Sequence, residues 1–116
     1  MTLRADQIDV LEEVARETLT ANIRRDLLAR DFKAAPAPRS ALEADGAHAR
    51  LRAVVDQGFA RGLAEEGDFR NLGHLAALSS FAPFRHPALR LTLGDYVGRE
   101  LAKRLRFLVQ QSKRGG

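Results

Sequence analysis

Three histidines, His48, His74 and His86, are the first side chains to test for chemistry, because imidazole titrates near neutral pH and ligates metals. None stands three or four residues from another, so no helical face holds a histidine pair. Asp45 and His48 are three apart, a spacing compatible with metal ligation, but two ligands make a poor site. A turn carboxylate beside a solvent-facing histidine is the expected arrangement. His74, near Leu72 and Leu75, fits a satisfied histidine at the edge of a core. His86, between Arg85 and Pro87, fits a surface loop. Glu13 and Glu17 share one helical face, and paired carboxylates can do acid–base work where burial separates their pKa values. With Arg16 and solvent beside them, a solvated face is expected instead. Ser79 and Ser80 lack the strand–turn–helix elbow of a nucleophilic serine. Gly94 and Gly98 follow no strand, so no phosphate loop is indicated. No catalytic residue, metal ligand or cofactor site is assigned, and an enzyme is not expected.

The basic end of the chain is the remaining candidate. From Arg85 to Gly116 there are eight Lys or Arg against Asp95 and Glu100, while residues 1–84 carry a slight acidic excess. The formal charge of +4 is therefore concentrated at one end. That asymmetry invites an anionic partner. Arg99, Lys103, Arg104 and Arg106 are the candidate contacts. Phosphate contacts to nucleic acid are one reading. An acidic protein surface is the other, favoured because an apolar stripe interrupts the cations and no helix-turn-helix precedes them. Basic residues also suit the negative end of a helix's own dipole.

Those residues need helices to hold them. Ile8, Leu11, Ala15, Leu19, Ile23 and Leu27 recur every three or four positions, which predicts a long first helix from about Arg4 to Asp31. Its length suggests a spine or a self-association surface. The stretch 33–40, with Pro36 and Pro38, predicts a stiff connector. Ser40 and Glu43 match a capping box, and a short turn should precede a helix starting near Ala47. Leu51, Val54, Val55, Phe59 and Leu63 form its stripe, with Gly58 and Gly62 placed to admit a close neighbour. Gly67 is expected to end that helix in the left-handed conformation and Asp68 to cap the next. Phe69, Leu72, Leu75, Ala76 and either Leu78 or Ser79 then form a third stripe, closed before Pro83. The bend from Pro83 to Pro87 should tuck Phe81 and Phe84 against the helices. Leu89, Leu91 and Leu93 read as an extended lead-in, because a lone strand would leave its backbone unpaired. A last helix capped by Thr92, with Asp95 three residues later, should bury Val97, Leu101, Leu105 and Leu108, and residues 110–116 should fray. The expectation is one all-α domain over 1–116, a small bundle of four main helices.

Composition agrees with that class. A chain of 116 residues is one domain's worth, at 45% hydrophobic and 29% charged. The absence of cysteine excludes disulfides and thiolate chemistry and fits a reducing compartment. No apolar run approaches the roughly 20 residues a membrane helix needs. The opening MTLRADQIDVLEE carries charges where an export signal would be apolar, so a cytoplasmic location is expected.

The segment from Ala60 to Pro87 resembles small helical proteins encoded beside bacterial type VI secretion spike and effector genes. Ala60-Arg61-Gly62, Glu65-Glu66-Gly67-Asp68, Phe81-Ala82-Pro83-Phe84 and Pro87 fill the places of that pattern. Ala82 stands where a glycine is usual, and no tryptophan follows the proline. The resemblance implies a non-catalytic adaptor contacting a secretion component or an effector, with no catalytic residues to carry over. The combined expectation is a helical interaction protein binding another protein, with homo-oligomerisation through the first helix as a further candidate. The alternative is a nucleic-acid binder using the basic last helix.

Overall fold

Five helices follow one another along the chain in the computed structural model, which describes residues 5–29 and 41–114. They are α1 (Ala5–Ala29), α2 (Ala47–Ala60), α3 (Glu66–Leu78), α4 (Pro87–Leu93) and α5 (Gly98–Arg114). The fold is all-α, with no strand among the described residues. The connector 33–40 and the Ser40 end of the expected capping box lie outside the described residues, as do the side chains of Ile8 and Leu11 on the first seam. Residues 41–43 make a helical turn ahead of α2. Its Leu42 is fully buried, and the Leu42 carbonyl accepts from Arg24 Nε at 2.9 Å.

The helix α3 occupies the centre. It packs against α1 and α2 on one side and against α5 on another, and α4 packs on α5. The core runs through all of them: Ile23 and Leu27 from α1, Leu51, Val54 and Val55 from α2, Phe69, Leu72 and Leu75 from α3, Leu93 from α4, and Leu101, Leu105 and Val109 from α5. This is the helical spacing read from the sequence, now closed on itself. Burying such side chains contributes roughly 1.5–3 kcal/mol each before the cost of ordering the chain.

Gly58 sets how close α2 and α3 come. A Cβ on Gly58 would lie 2.7 Å from Phe69 Cε1 and 2.9 Å from Leu72 Cδ2, so α2 meets α3 at a distance only glycine permits. Gly62 has a different task. It takes φ +85° just past α2, where Leu63 N–H donates to Gly58 O at 3.0 Å and Gly62 N–H to Phe59 O at 3.1 Å. That pair of bonds is the Schellman arrangement, with Leu63 buried behind it. The helix therefore ends at Ala60, and the left-handed turn falls at Gly62, five residues before the expected Gly67. Gly67 lies inside α3, and Glu65 rather than Asp68 stands at the N-cap, without a side-chain capping bond.

The C-terminal third departs further from expectation. Leu89, Leu91 and Leu93 belong to α4, not to an extended lead-in. Pro87 occupies the first turn, where its missing N–H costs nothing, and His86 Nδ1 accepts from Ala88 N–H at 3.2 Å. The last helix starts at Gly98, after the positions of Thr92 and Asp95, so neither caps it. Val97 stays 60% exposed and Leu108 is only partly buried, so the buried stripe of this helix runs through Leu101, Leu105 and Val109 instead. Helix α5 continues to Arg114 rather than fraying from residue 110. Burial of Val109 and the bond from Ser112 Oγ to Val109 O, 2.8 Å, account for the extra turn.

Candidate functional site

Three acidic side chains, Glu13 and Glu17 of α1 and Asp56 of α2, are spent on joining those two helices. Arg52 lies on α2 facing α1, and its guanidinium holds both oxygens of Glu13 at 2.6 Å, Glu17 Oε1 at 2.5 Å and Asp56 Oδ1 at 3.0 Å. Arg16 reaches the same Asp56 oxygen at 3.1 Å and stacks over Phe59, 4.4 Å from the ring centroid. His48 Nε2 lies 2.7 Å from Glu17 Oε2, so its carboxylate partner is Glu17 across the helix pair and not solvent beside Asp45. The Arg52 guanidinium holds the Glu13 carboxyl below the usual value, and His48, then Arg52, do the same for Glu17. Bonding to Glu13 and Asp56 raises the already high pKa of Arg52. The glutamates expected on a solvated face are thus an inter-helix clamp, with Arg52 as its centre. The network ties α1 to α2, and the cations around Glu13 and Glu17 favour their ionised form.

The other candidate groups also have structural partners. His74 is 6% exposed and lies 3.3 Å from Ser112 Oγ. Ser79 Oγ donates to Leu75 O at 2.7 Å, as a serine at a helix end does. Among the described residues, no three His, Cys, Asp or Glu side chains come together to hold a metal ion.

The basic C-terminal helix divides in two. Arg104 faces inward: its Nη1 donates to Thr92 O at 3.0 Å, its guanidinium lies 3.5 Å from the Tyr96 ring centroid, and Nε sits 3.3 Å from Glu100 Oε1 without a directed hydrogen bond. It fastens α4 and the following turn to α5, so it is no free contact. Arg99, Lys103 and Arg106 are exposed and stand four and three residues apart, which lines them along one face. No hydrogen bond or ion pair holds them among the described residues. Arg106 does oppose the rise in Asp68's pKa, which burial causes first and Glu65 second. Phe107 follows on this helix, 53% exposed.

A second basic feature was not legible in the sequence. A groove of about 670 Å³ is lined by Arg61 from the end of α2, Phe84 and Arg85 from the bend, Pro87, Arg90 and Leu91 from α4, and Asp95 beyond it. A smaller hollow of about 400 Å³ shares Arg61, Phe84 and Arg85 and extends to Gln57 and Phe81. Arg61 is fixed between them. Its guanidinium lies 3.9 Å from the Phe84 ring centroid, Nη1 donates to Gly94 O at 2.9 Å, and its carbonyl accepts from Gly98 N–H at 2.8 Å. The wall beside Phe84 is strained, since Ser80 and Phe81 both have positive φ, 54° and 63°. The lining of the larger groove spans 34 positions, from Arg61 to Asp95, and no local spacing pattern announces that these residues meet.

Comparison with protein-family models, with curated protein sequences and with solved structures returns no match. No helix among the described residues is long and apolar enough to cross a membrane.

Proposed function

We propose that this chain is a non-enzymatic interaction module that docks an acidic face of another protein on the outer surface of α5. The observation that supports this is the contrast between its two sets of charges. Glu13, Glu17 and Asp56 are neutralised internally, whereas Arg99, Lys103 and Arg106 stand exposed in one row beside a half-exposed Phe107. A row of cations next to an aromatic suits a partner that offers both carboxylates and apolar side chains. The resemblance of residues 60–87 to type VI secretion accessory proteins makes a secretion component or effector the first partner class to try, with the cytoplasm as the place of encounter.

The test compares two probes by fluorescence anisotropy: an amphipathic helical peptide rich in Glu and Leu, and a DNA duplex of about 20 base pairs. At about 150 mM salt the peptide should bind more tightly than the duplex, and the triple variant Arg99→Ala, Lys103→Ala, Arg106→Ala should weaken peptide binding about tenfold or more. Duplex binding that exceeds peptide binding, with a steep salt slope, would transfer the assignment to nucleic acid. Peptide binding untouched by the triple variant would remove α5 from the account.

A further inference from the structure

We infer that the groove between the end of α2, the Pro83–Pro87 bend and α4 binds a phosphate monoester, with the phosphate among Arg61, Arg85 and Arg90 and the organic part over Leu91 and Pro87. This site lies apart from the α5 row, since Arg99, Lys103 and Arg106 are not among its lining residues.

Charge selects the class of ligand. Three arginines and one carboxylate, Asp95, line the groove, a surplus of two positive charges. A phosphate monoester carries about −1.5 to −2 at neutral pH and offers three acceptor oxygens, whereas a carboxylate or a sulfate ester carries about −1. Arg61 is organised for the task before any ligand arrives. Stacking on Phe84 and the bond to Gly94 O hold its plane while using one N–H, which leaves the rest of its fork for oxygen acceptors. The Arg85 and Arg90 side chains are exposed, with no side-chain hydrogen bond or ion pair among the described residues.

Shape selects the organic part. Leu91 is 90% exposed on the groove wall, a position that gains from being covered. The groove volume, about 670 Å³, is that of a small-molecule site rather than a single ion. Phe81, which lines the adjoining smaller hollow, has a left-handed backbone, the kind of outlier that clusters at binding sites.

Phenyl phosphate, added to the full chain and followed by amide NMR shifts, is the probe. Saturable shifts at Arg61, Arg85 and Gly94 are expected, and Arg85→Ala with Arg90→Ala should lower affinity about tenfold or more while the far-UV CD spectrum is unchanged. Affinity should fall as pH drops below about 6, where the ester loses its second charge, and phenyl sulfate should bind more weakly at every pH. Inorganic phosphate should bind more weakly than phenyl phosphate, because it leaves Leu91 uncovered; equal binding would overturn the organic part of the inference. Absence of saturable shifts, equal affinity for phenyl sulfate, or indifference to the double variant would overturn it entirely. The α5 triple variant should keep full phenyl phosphate affinity, so failure of the protein-docking reading and failure of this one are distinguishable.

Discussion

Gly73 and Ile23 meet so closely that a methyl group added to the glycine would lie 2.7 Å from Ile23 Cγ2. The contact brings α3 onto α1 at the middle of the core, and Ile23 is fully buried there. A β-branched side chain is stiff about its first torsion, so Cγ2 cannot move aside without moving α1. The consequence is a contrast within one helix. Gly73→Ala should destabilise by about 1–3 kcal/mol through overpacking, more than the gain of up to about 1 kcal/mol in helix propensity. Gly67→Ala, where nothing lies within 4 Å of the new Cβ, should show the propensity gain alone. Urea midpoints of the two variants, at unchanged slope, check the opposite signs.

The clamp around Arg52 should appear in the pH dependence of stability. Glu13 and Glu17 are held below their ordinary value of about 4.5, so their contribution is fully present above that pH. It is lost as pH falls through the lowered folded-state values, because the unfolded chain takes up protons first. Arg52→Ala should therefore lower stability at neutral pH, with solvent limiting what these half-exposed acids contribute. The variant should also melt with a flatter pH profile between about pH 4.5 and acid. Equal profiles for the variant and the parent would remove the clamp. Asp68 runs the other way: its raised value makes its ionisation a destabilising event as pH rises.

The two faces of α5 should separate by thermodynamics. Arg104→Ala removes the Tyr96 stack and the bond to Thr92 O, and should destabilise by about 1–2 kcal/mol. Arg99→Ala should change stability by less than about 0.5 kcal/mol, as substitutions of unpartnered surface residues do. Chemical denaturation of the two single variants is sufficient to compare them.

Relief of the bend is measurable as well. Ser80 is exposed and held at φ 54°, so Ser80→Gly should stabilise by about 0.5–1 kcal/mol. A loss of stability in thermal melts would mean that the hydroxyl or the restricted chain matters more than the conformation.

Much of the helical architecture was legible because it rests on local spacing. Leu51, Val54 and Val55, then Phe69, Leu72 and Leu75, announce α2 and α3 through their three- and four-residue intervals, and those same residues form the core. The short α4 was hidden by three alternate leucines that mimic a strand, although Pro87 at a first helical turn carried a readable signal. The place of the α2 stop was ambiguous, because Gly62 and Gly67 are equally able to turn the chain. The clamp was out of reach for another reason. Arg52 meets Glu13 across 39 positions, and pairing over that distance depends on how the helices dock rather than on any local pattern. The groove is the same case, since the stack between Arg61 and Phe84 forms only when α2 and the bend come together. Of the four basic residues picked from sequence as anion contacts, Arg104 differs because its position on the wheel turns it toward Tyr96.

Because α3 packs against α1, α2 and α5, while no close backbone approach joins α1 to α5 among the described residues, α3 is the shared wall through which the single core passes from the α1 side to the α5 side. The chain has one tyrosine, Tyr96, and no tryptophan, so its intrinsic emission watches only the half built on α5. Circular dichroism watches both. Superimposable melts by the two signals would mean that the wall transmits collapse from one room to the other; a gap between them would mean that each room can empty alone.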